Sequence, residues 1–210
     1  MREARPVTPP RDLDRALADI VAIRSQIARD THFRGLGPAT IAATGVLALG
    51  AAAVQAIWFA GSGPLAYFGL WIAVAAVALG LIGAETVTRA RRIHSGLADA
   101  MILAAVEQFL PAFAAGALVA LVLARLAPES LWLLPGLWQV FVSVGLFAAA
   151  RTLPRGASLA AAWYLLAGLA VIAVSAGTPA LSPWAMGLPF GIGQVLLAAI
   201  LHLARRDADD

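Results

Sequence analysis

The sequence predicts an all-α, polytopic membrane protein: six transmembrane helices in an up-and-down bundle of three hairpins, preceded by a cytoplasmic amphipathic helix. The first observation is composition, since 61% of the 210 residues are hydrophobic and only 13% are charged, where a soluble domain carries about 25% charged residues. The second is arrangement, because long apolar runs recur between short polar joints. Runs of about 20 apolar residues have the length of a spanning helix, and a helix satisfies its own backbone polar groups in lipid.

Residues 1–38 are predicted to form a cytoplasmic segment that is rich in arginine. Residues 1–34 are polar and contain no apolar stretch of the kind found in a signal peptide. Within this segment, residues 11–34 have the pattern of an amphipathic helix, with charged residues on one face and a heptad-spaced apolar stripe on the other. The stripe contains Leu13, Ile20, Ile23 and Ile27. We expect this face to lie on the membrane surface, to pack under the bundle or to pair with a partner helix.

Six spans are predicted between residues 39 and 204, separated by joints that are charged or contain proline and glycine. The spans are 39–60, 65–86, 100–124, 131–151, 156–177 and 184–204. Because the joints are short, consecutive spans are expected to be antiparallel neighbours. Residues 205–210 are predicted to form a cytoplasmic tail.

The arginines predict the orientation of the chain in the membrane. All fifteen basic residues are arginines, and fourteen of them fall on the side that holds both termini, with Arg125 as the exception. Cationic segments stay in the cytoplasm, so both termini are predicted to be cytoplasmic. Aromatic residues near the opposite ends of the spans are expected to lie in the headgroup zone. These are Trp58, Tyr67, Trp132 and Trp184.

Spans 3–4 and 5–6 share a spacing of marker residues, which predicts that one hairpin was duplicated. In both copies a glycine lies sixteen residues before a tryptophan, and a glutamine follows inside the apolar run. The glycine–tryptophan pairs are Gly116 with Trp132 and Gly168 with Trp184. Spans 1–2 match this pattern more loosely. Superposition of the two copies is expected to place Trp132 on Trp184 and Gln139 near Gln194.

A candidate polar membrane site consists of Glu107, Gln108, Gln139 and Gln194, and Gln55 is a further amide within the spans. The structural interpretation is that the amides form hydrogen bonds between helices. The alternative is a site for a substrate or ion, because ionisable groups inside a membrane are candidates for function. Glu107 is expected to face protein, and Pro111 removes the donor of its backbone carbonyl. Glu85 is expected to form a surface ion pair with Arg89.

The sequence contains no catalytic, phosphate-binding or redox motif and no cysteine, so we predict neither an enzyme nor a cofactor. Its three histidines, His32, His94 and His202, have no metal-ligand spacing, which predicts no metal site. The net charge of +3 reflects the arginines on the predicted cytoplasmic side and does not indicate a nucleic-acid surface. The predicted partners are therefore the lipid bilayer and protein, not nucleic acid.

The predicted function is that of an accessory or scaffold subunit. Its apolar faces and N-terminal helix would engage other membrane or cytoplasmic subunits or a second copy of the chain. The alternative is a small transporter or channel for an ion or small solute, which would use Glu107 and the intramembrane glutamines. The sequence favours the subunit, because a conduction path normally needs more polar lining than these residues provide.

Four stretches of the sequence resemble a group of small multi-pass bacterial inner-membrane proteins of uncharacterised activity. They are DLDRALADIVAIRSQIA, GPATIAATG, LWLLPGLWQ and SPWAMGLPFGIGQ. The resemblance covers nearly the whole chain. It implies a location in the bacterial inner membrane, and it carries no catalytic residues.

Overall fold

The structure, a computed structural model, describes residues 37–93, 98–154, 156–177 and 180–209. Within these ranges the protein contains six helices that are long and apolar enough to cross a membrane, and no strand. The prediction of a multi-pass helical membrane protein is therefore confirmed. The predicted amphipathic helix at 11–34 lies outside the described residues, so it stays a prediction.

The membrane helices are α1 (Pro38–Trp58), α2 (Pro64–Ile93), α3 (Ala98–Leu126), α4 (Leu134–Ala148), α5 (Ala157–Gly177) and α6 (Trp184–Asp209). Short 3-10 segments flank α4, at Pro128–Leu133 and Ala149–Arg151. Proline occupies the first turn of α1, α2 and α4, where a missing N–H breaks no helical hydrogen bond. α2 extends past its predicted span to Ile93, because Arg89, Arg91 and Arg92 favour a helix although they are too polar for the bilayer.

The core of the bundle lies between α1, α4, α5 and α6. The most extensive interfaces are those of α1 with α6 and of α4 with α5. Their largest cluster of buried side chains includes Ile41, Leu146, Tyr164 and Leu197, one from each helix. By contrast, only 17% of the α2 span and 6% of the α3 span are buried, against 28% or more for each of the other four. α2 and α3 are therefore peripheral and turn most of their surface outward.

Glycines set the closest approaches between these helices. Gly136 of α4 faces Gly168 of α5, and a Cβ atom on Gly136 would lie 2.5 Å from the carbonyl oxygen of Gly168. Small residues allow such backbone contact and are typical of membrane interfaces. In the GLPFG stretch of α6, Gly187 packs against the backbone of α1 at Ala48 and Ala52, and Gly191 packs against the Leu49 side chain.

The closest helix pairs do not coincide with the predicted hairpins. Each helix contacts the next one along the chain, as short connections require. However, the α4–α5 interface joins helices from two different predicted copies, and the α1–α6 interface joins the first hairpin to the third. The division into three hairpins is not confirmed, and the duplication stays a prediction.

Candidate functional site

Gln139 lies fully buried on α4 and connects this helix to α6. Its Nε2 donates to the carbonyl oxygen of Ala185 at 2.8 Å and to that of Pro135 at 2.9 Å. Ala185 precedes Pro189 by four residues, and Pro189 lies inside α6. Proline has no N–H, so the Ala185 carbonyl lacks its helical donor, and the Gln139 amide replaces it. The structural interpretation is confirmed for this glutamine.

Gln108 and Gln194 lie at other depths of the bundle. Gln108 of α3 accepts a hydrogen bond from the Thr152 hydroxyl at 3.1 Å. Thr152 follows Gln139 by thirteen residues, a rise of roughly 20 Å along the bundle. Because Gln108 bonds to Thr152, it lies at that distance from Gln139 along the bundle axis. Gln194 follows Ala185 by nine residues, a rise of roughly 13 Å along α6. These contacts do not gather the three predicted amides into one site.

Buried polar atoms remain on the inner faces of α4 and α6. Gln139 Oε1, Ser143 Oγ and Gln194 Oε1 are buried without a hydrogen-bond partner among the described residues. Gln139 and Ser143 are one turn apart on α4, and both are 0% exposed. Gln194 instead packs its Cβ toward Gly45 of α1. The unpaired atoms therefore lie between core helices and not on a common channel wall.

Glu107 is exposed on α3, so the expectation that it faces protein is wrong for a single copy of the chain. α3 turns Gly116 toward α4, where the Trp138 indole donates to the Gly116 carbonyl. Glu107 lies on a different face, which it shares with the exposed side chains of Leu103 and Leu110. Apolar residues occupy every face of α3, and its few polar residues do not indicate which face packs.

A polar cluster that the sequence did not reveal joins α1 to α2 at the end of the bundle where α1 ends. Gln55 is 2% exposed, and its Oε1 accepts a hydrogen bond from the Trp71 indole at 2.8 Å. Its Nε2 lies 3.4 Å from the Tyr67 carbonyl. The Tyr67 hydroxyl donates to the Ser182 carbonyl at 2.9 Å, so it also connects this end to the segment before α6.

Tyr67 has the position predicted for it along the chain, but it does not face outward as a residue of an aromatic belt. It is 3% exposed, whereas Trp58 and Trp184 are 71% and 42% exposed. A buried tyrosine needs a partner for its hydroxyl, and the Ser182 carbonyl is that partner. The short turn between α1 and α2, together with the polar residues Gln55 and Trp71 close to it, was the signal that could have indicated this cluster.

A cavity of about 330 Å³ lies beside this cluster, and we call it the turn cavity. Its polar lining consists of Gln55, Ser62 and Tyr67, and its apolar lining includes Phe59, Leu181 and Pro183. The α1–α2 turn forms one side, where Gly61 has a φ of 78° that favours glycine.

Glu85 forms a third polar cluster, at the end of the bundle where α1 begins. Arg89 donates to its Oε1 at 2.6 Å, which confirms the predicted ion pair. The carboxylate also lies against Gly37, the N-cap residue of α1, so closely that a Cβ atom there would overlap it. Thr40 and Arg205 are further neighbours of the carboxylate. Glu85 thus places a negative charge at the N-terminus of α1, where unpaired N–H groups and the helix dipole favour it.

Comparisons of the chain with protein-family models, with curated proteins and with solved structures find no match. The predicted partner-facing stripe of the N-terminal helix, Leu13, Ile20, Ile23 and Ile27, lies outside the described residues.

Proposed function

We propose that this protein is a non-enzymatic component of a bacterial inner membrane, an accessory or scaffold subunit that binds other subunits. The binding surfaces would be the outward faces of α2 and α3 and the N-terminal helix. One observation carries this proposal: Glu107 is exposed on the helix whose membrane span is only 6% buried.

Lipid covers exposed leucines and valines at no cost, so an apolar outer face alone requires no partner. A carboxylate is different, because charged groups in a membrane almost always face a bundle interior, a water-filled cavity or a paired group. Glu107 is the second residue of the apolar span Val106–Leu126, and we take its carboxylate to border the hydrocarbon of the bilayer. A partner helix with an arginine or an amide at this depth would satisfy the carboxylate, and Leu103 and Leu110 would pack beside it.

The interior of the bundle supports a subunit over a conduction path. Three glutamines form hydrogen bonds within the bundle, each to a different part of it. Gln55 bonds to Trp71 of α2, Gln108 to Thr152 in the turn after Ala149–Arg151, and Gln139 to Ala185 of α6. A path would need polar groups that line a common lumen. The amide groups instead connect helices at separate depths, which is how glutamines stabilise membrane bundles.

We propose that both termini are cytoplasmic. Arg89 and Arg205 lie beside Glu85 and the first turn of α1, so the beginning of α1 and the ends of α2 and α6 share one side. The arginine-rich side of a membrane protein is normally the cytoplasmic one.

Photocrosslinking along α3 tests the proposed partner surface. A photoreactive phenylalanine analogue at Leu110, three residues from Glu107, is expected to form a protein adduct of one defined size in native membranes. The same analogue at Ile192, an outward position of α6 that is 45% exposed, is expected to react with lipid only. Glu107→Leu should abolish the Leu110 adduct. Equal reaction at both positions, or an adduct unaffected by Glu107→Leu, would contradict a partner at this face.

Flux measurements separate this proposal from the transporter alternative. Purified protein in liposomes is expected to show no more proton or cation flux than empty liposomes. Flux that is lost in Glu107→Gln, and retained in Glu129→Gln in the 3-10 segment that follows α3, would favour transport instead.

A further inference from the structure

We infer that the turn cavity binds a neutral amphiphile, with a carbonyl group of the ligand at Gln55 and its apolar part in the surrounding lipid. The cavity volume of about 330 Å³ falls at the lower end of the roughly 300–1,000 Å³ typical of small-molecule sites. It therefore has room for a compact head group but not for a whole lipid.

The lining determines that the ligand is neutral. Among the residues that the structure describes, the cavity lining contains no aspartate, glutamate, lysine, arginine or histidine. An ion that entered this cavity would give up part of its hydration and find no counter-charge among the described lining residues, which is unfavourable. Phosphates, carboxylates and ammonium groups are therefore excluded as the part of the ligand that enters.

The orientation of the Gln55 amide determines that the ligand presents an acceptor. The Trp71 indole can only donate, so the amide atom that it contacts at 2.8 Å must be the oxygen. The nitrogen then points away from Trp71, with two hydrogens and one long contact of 3.4 Å to the Tyr67 carbonyl. At least one amide hydrogen is thus weakly used. The Ser62 hydroxyl is a second donor in the lining, and a carbonyl group complements both.

The surroundings of the cavity indicate that the ligand comes from the membrane. Trp58, at the end of α1, is 71% exposed, and Leu65, in the first turn of α2, is 91% exposed. Exposed aromatic and aliphatic side chains at the end of a span are typical of the boundary between headgroups and hydrocarbon. Quinones and glycerol esters are two kinds of membrane molecule that combine a neutral carbonyl with an apolar tail.

Thermal unfolding of the full-length protein in detergent tests this site, with decylubiquinone and monoolein as the two probes. A ligand that binds the folded state raises the unfolding temperature in a saturable way. We expect such a rise with one of the probes, and the probe that gives it identifies the source. Gln55→Leu is expected to weaken the apparent affinity about tenfold, the effect of one lost hydrogen bond.

Two phenylalanine variants separate a loss of binding from a loss of folding. Ala60→Phe introduces a ring at an exposed turn position that lines the cavity, and it leaves Gln55, Tyr67 and Trp71 in place. Ala66→Phe introduces the same ring at an exposed position outside the lining. We expect Ala60→Phe to abolish the rise and Ala66→Phe to retain it. The proposal is overturned if neither probe gives a saturable rise, or if the two phenylalanine variants respond equally.

Discussion

One buried amide in this bundle replaces a backbone hydrogen bond that a helix loses, and one carboxylate lies against a helix terminus. The Gln139 amide serves the Ala185 carbonyl, which Pro189 deprives of its donor. The Glu85 carboxylate lies at the first turn of α1, where the helix has no carbonyls for its first N–H groups. Each contact joins two helices, because a polar side chain of one helix lies against an unpaired backbone group of the other. We expect these residues to determine how the helices are rotated against each other.

A double-mutant cycle tests the replacement at Pro189. Gln139→Leu is expected to lower the free energy of unfolding by about 1–2 kcal/mol, because the Ala185 carbonyl loses its donor. In the Pro189→Ala background the new N–H can bond to this carbonyl, so Gln139→Leu should cost less. Unfolding by SDS in mixed micelles measures the four proteins. Gln108→Leu is the control, with the same cost in both backgrounds. If Gln139→Leu lowers the free energy of unfolding equally with and without Pro189→Ala, the amide and the proline act independently.

Two substitutions test the contact between Glu85 and the first turn of α1. Gly37→Ala should displace the carboxylate without straining the backbone, since Gly37 has φ −86° and ψ 122°. Glu85→Gln keeps the shape and removes the charge. Each is expected to speed amide hydrogen exchange at Ala39 and Thr40 several-fold, consistent with roughly 0.3–1 kcal/mol for a charge at a helix terminus. Gly50→Ala, at an open position of α1, is the control, and unchanged exchange in both test variants would count against the contact.

At the scale of helices, the sequence predicted the number of spans well and their packing poorly. Apolar length and proline- or glycine-containing joints are local properties, so they indicate six helices directly. Packing depends on which face of each helix is buried, and helices such as α3 and α5 are apolar on every face. Glycines occur throughout the spans, so the sequence did not distinguish Gly136, where an added Cβ atom would meet α5, from Gly80, where an added Cβ atom would meet nothing within 4 Å.

This difference between glycines can be measured. Gly136→Leu is expected to lower the free energy of unfolding by about 1–3 kcal/mol or more, because the added side chain forces α4 away from Gly168 and Ile172 of α5. Gly80→Leu, on the outward face of α2, should be neutral or slightly stabilising, since leucine favours helix more than glycine does. Thermal unfolding of both purified variants gives the comparison. A loss at Gly80 as large as that at Gly136 would contradict the peripheral position of α2.

At the scale of the whole molecule, the two ends of the bundle differ in chemistry. One end holds the Glu85–Arg89 pair, Arg205 and the beginning of α1. The other holds the uncharged turn cavity and exposed aromatic residues. The arginine count predicted this asymmetry, because charge bias is a property of the chain that needs no contacts. The turn cavity could not be predicted, since the Tyr67–Ser182 bond that closes it joins residues 115 positions apart.

The asymmetry leads to a prediction of topology that single cysteines can test, because the natural chain contains none. Ser62→Cys and Ala180→Cys place thiols at the turn-cavity end, since the Tyr67–Ser182 bond joins the segments that carry them. His94→Cys and Asp207→Cys place thiols in the arginine-rich segments. In intact cells, a membrane-impermeant maleimide is expected to label positions 62 and 180, and to label 94 and 207 only after permeabilisation. The reverse pattern would put both termini outside and overturn the orientation. Labelling at 62 but not at 180 would instead contradict the bundle itself, because the two segments would then lie on opposite sides of the membrane.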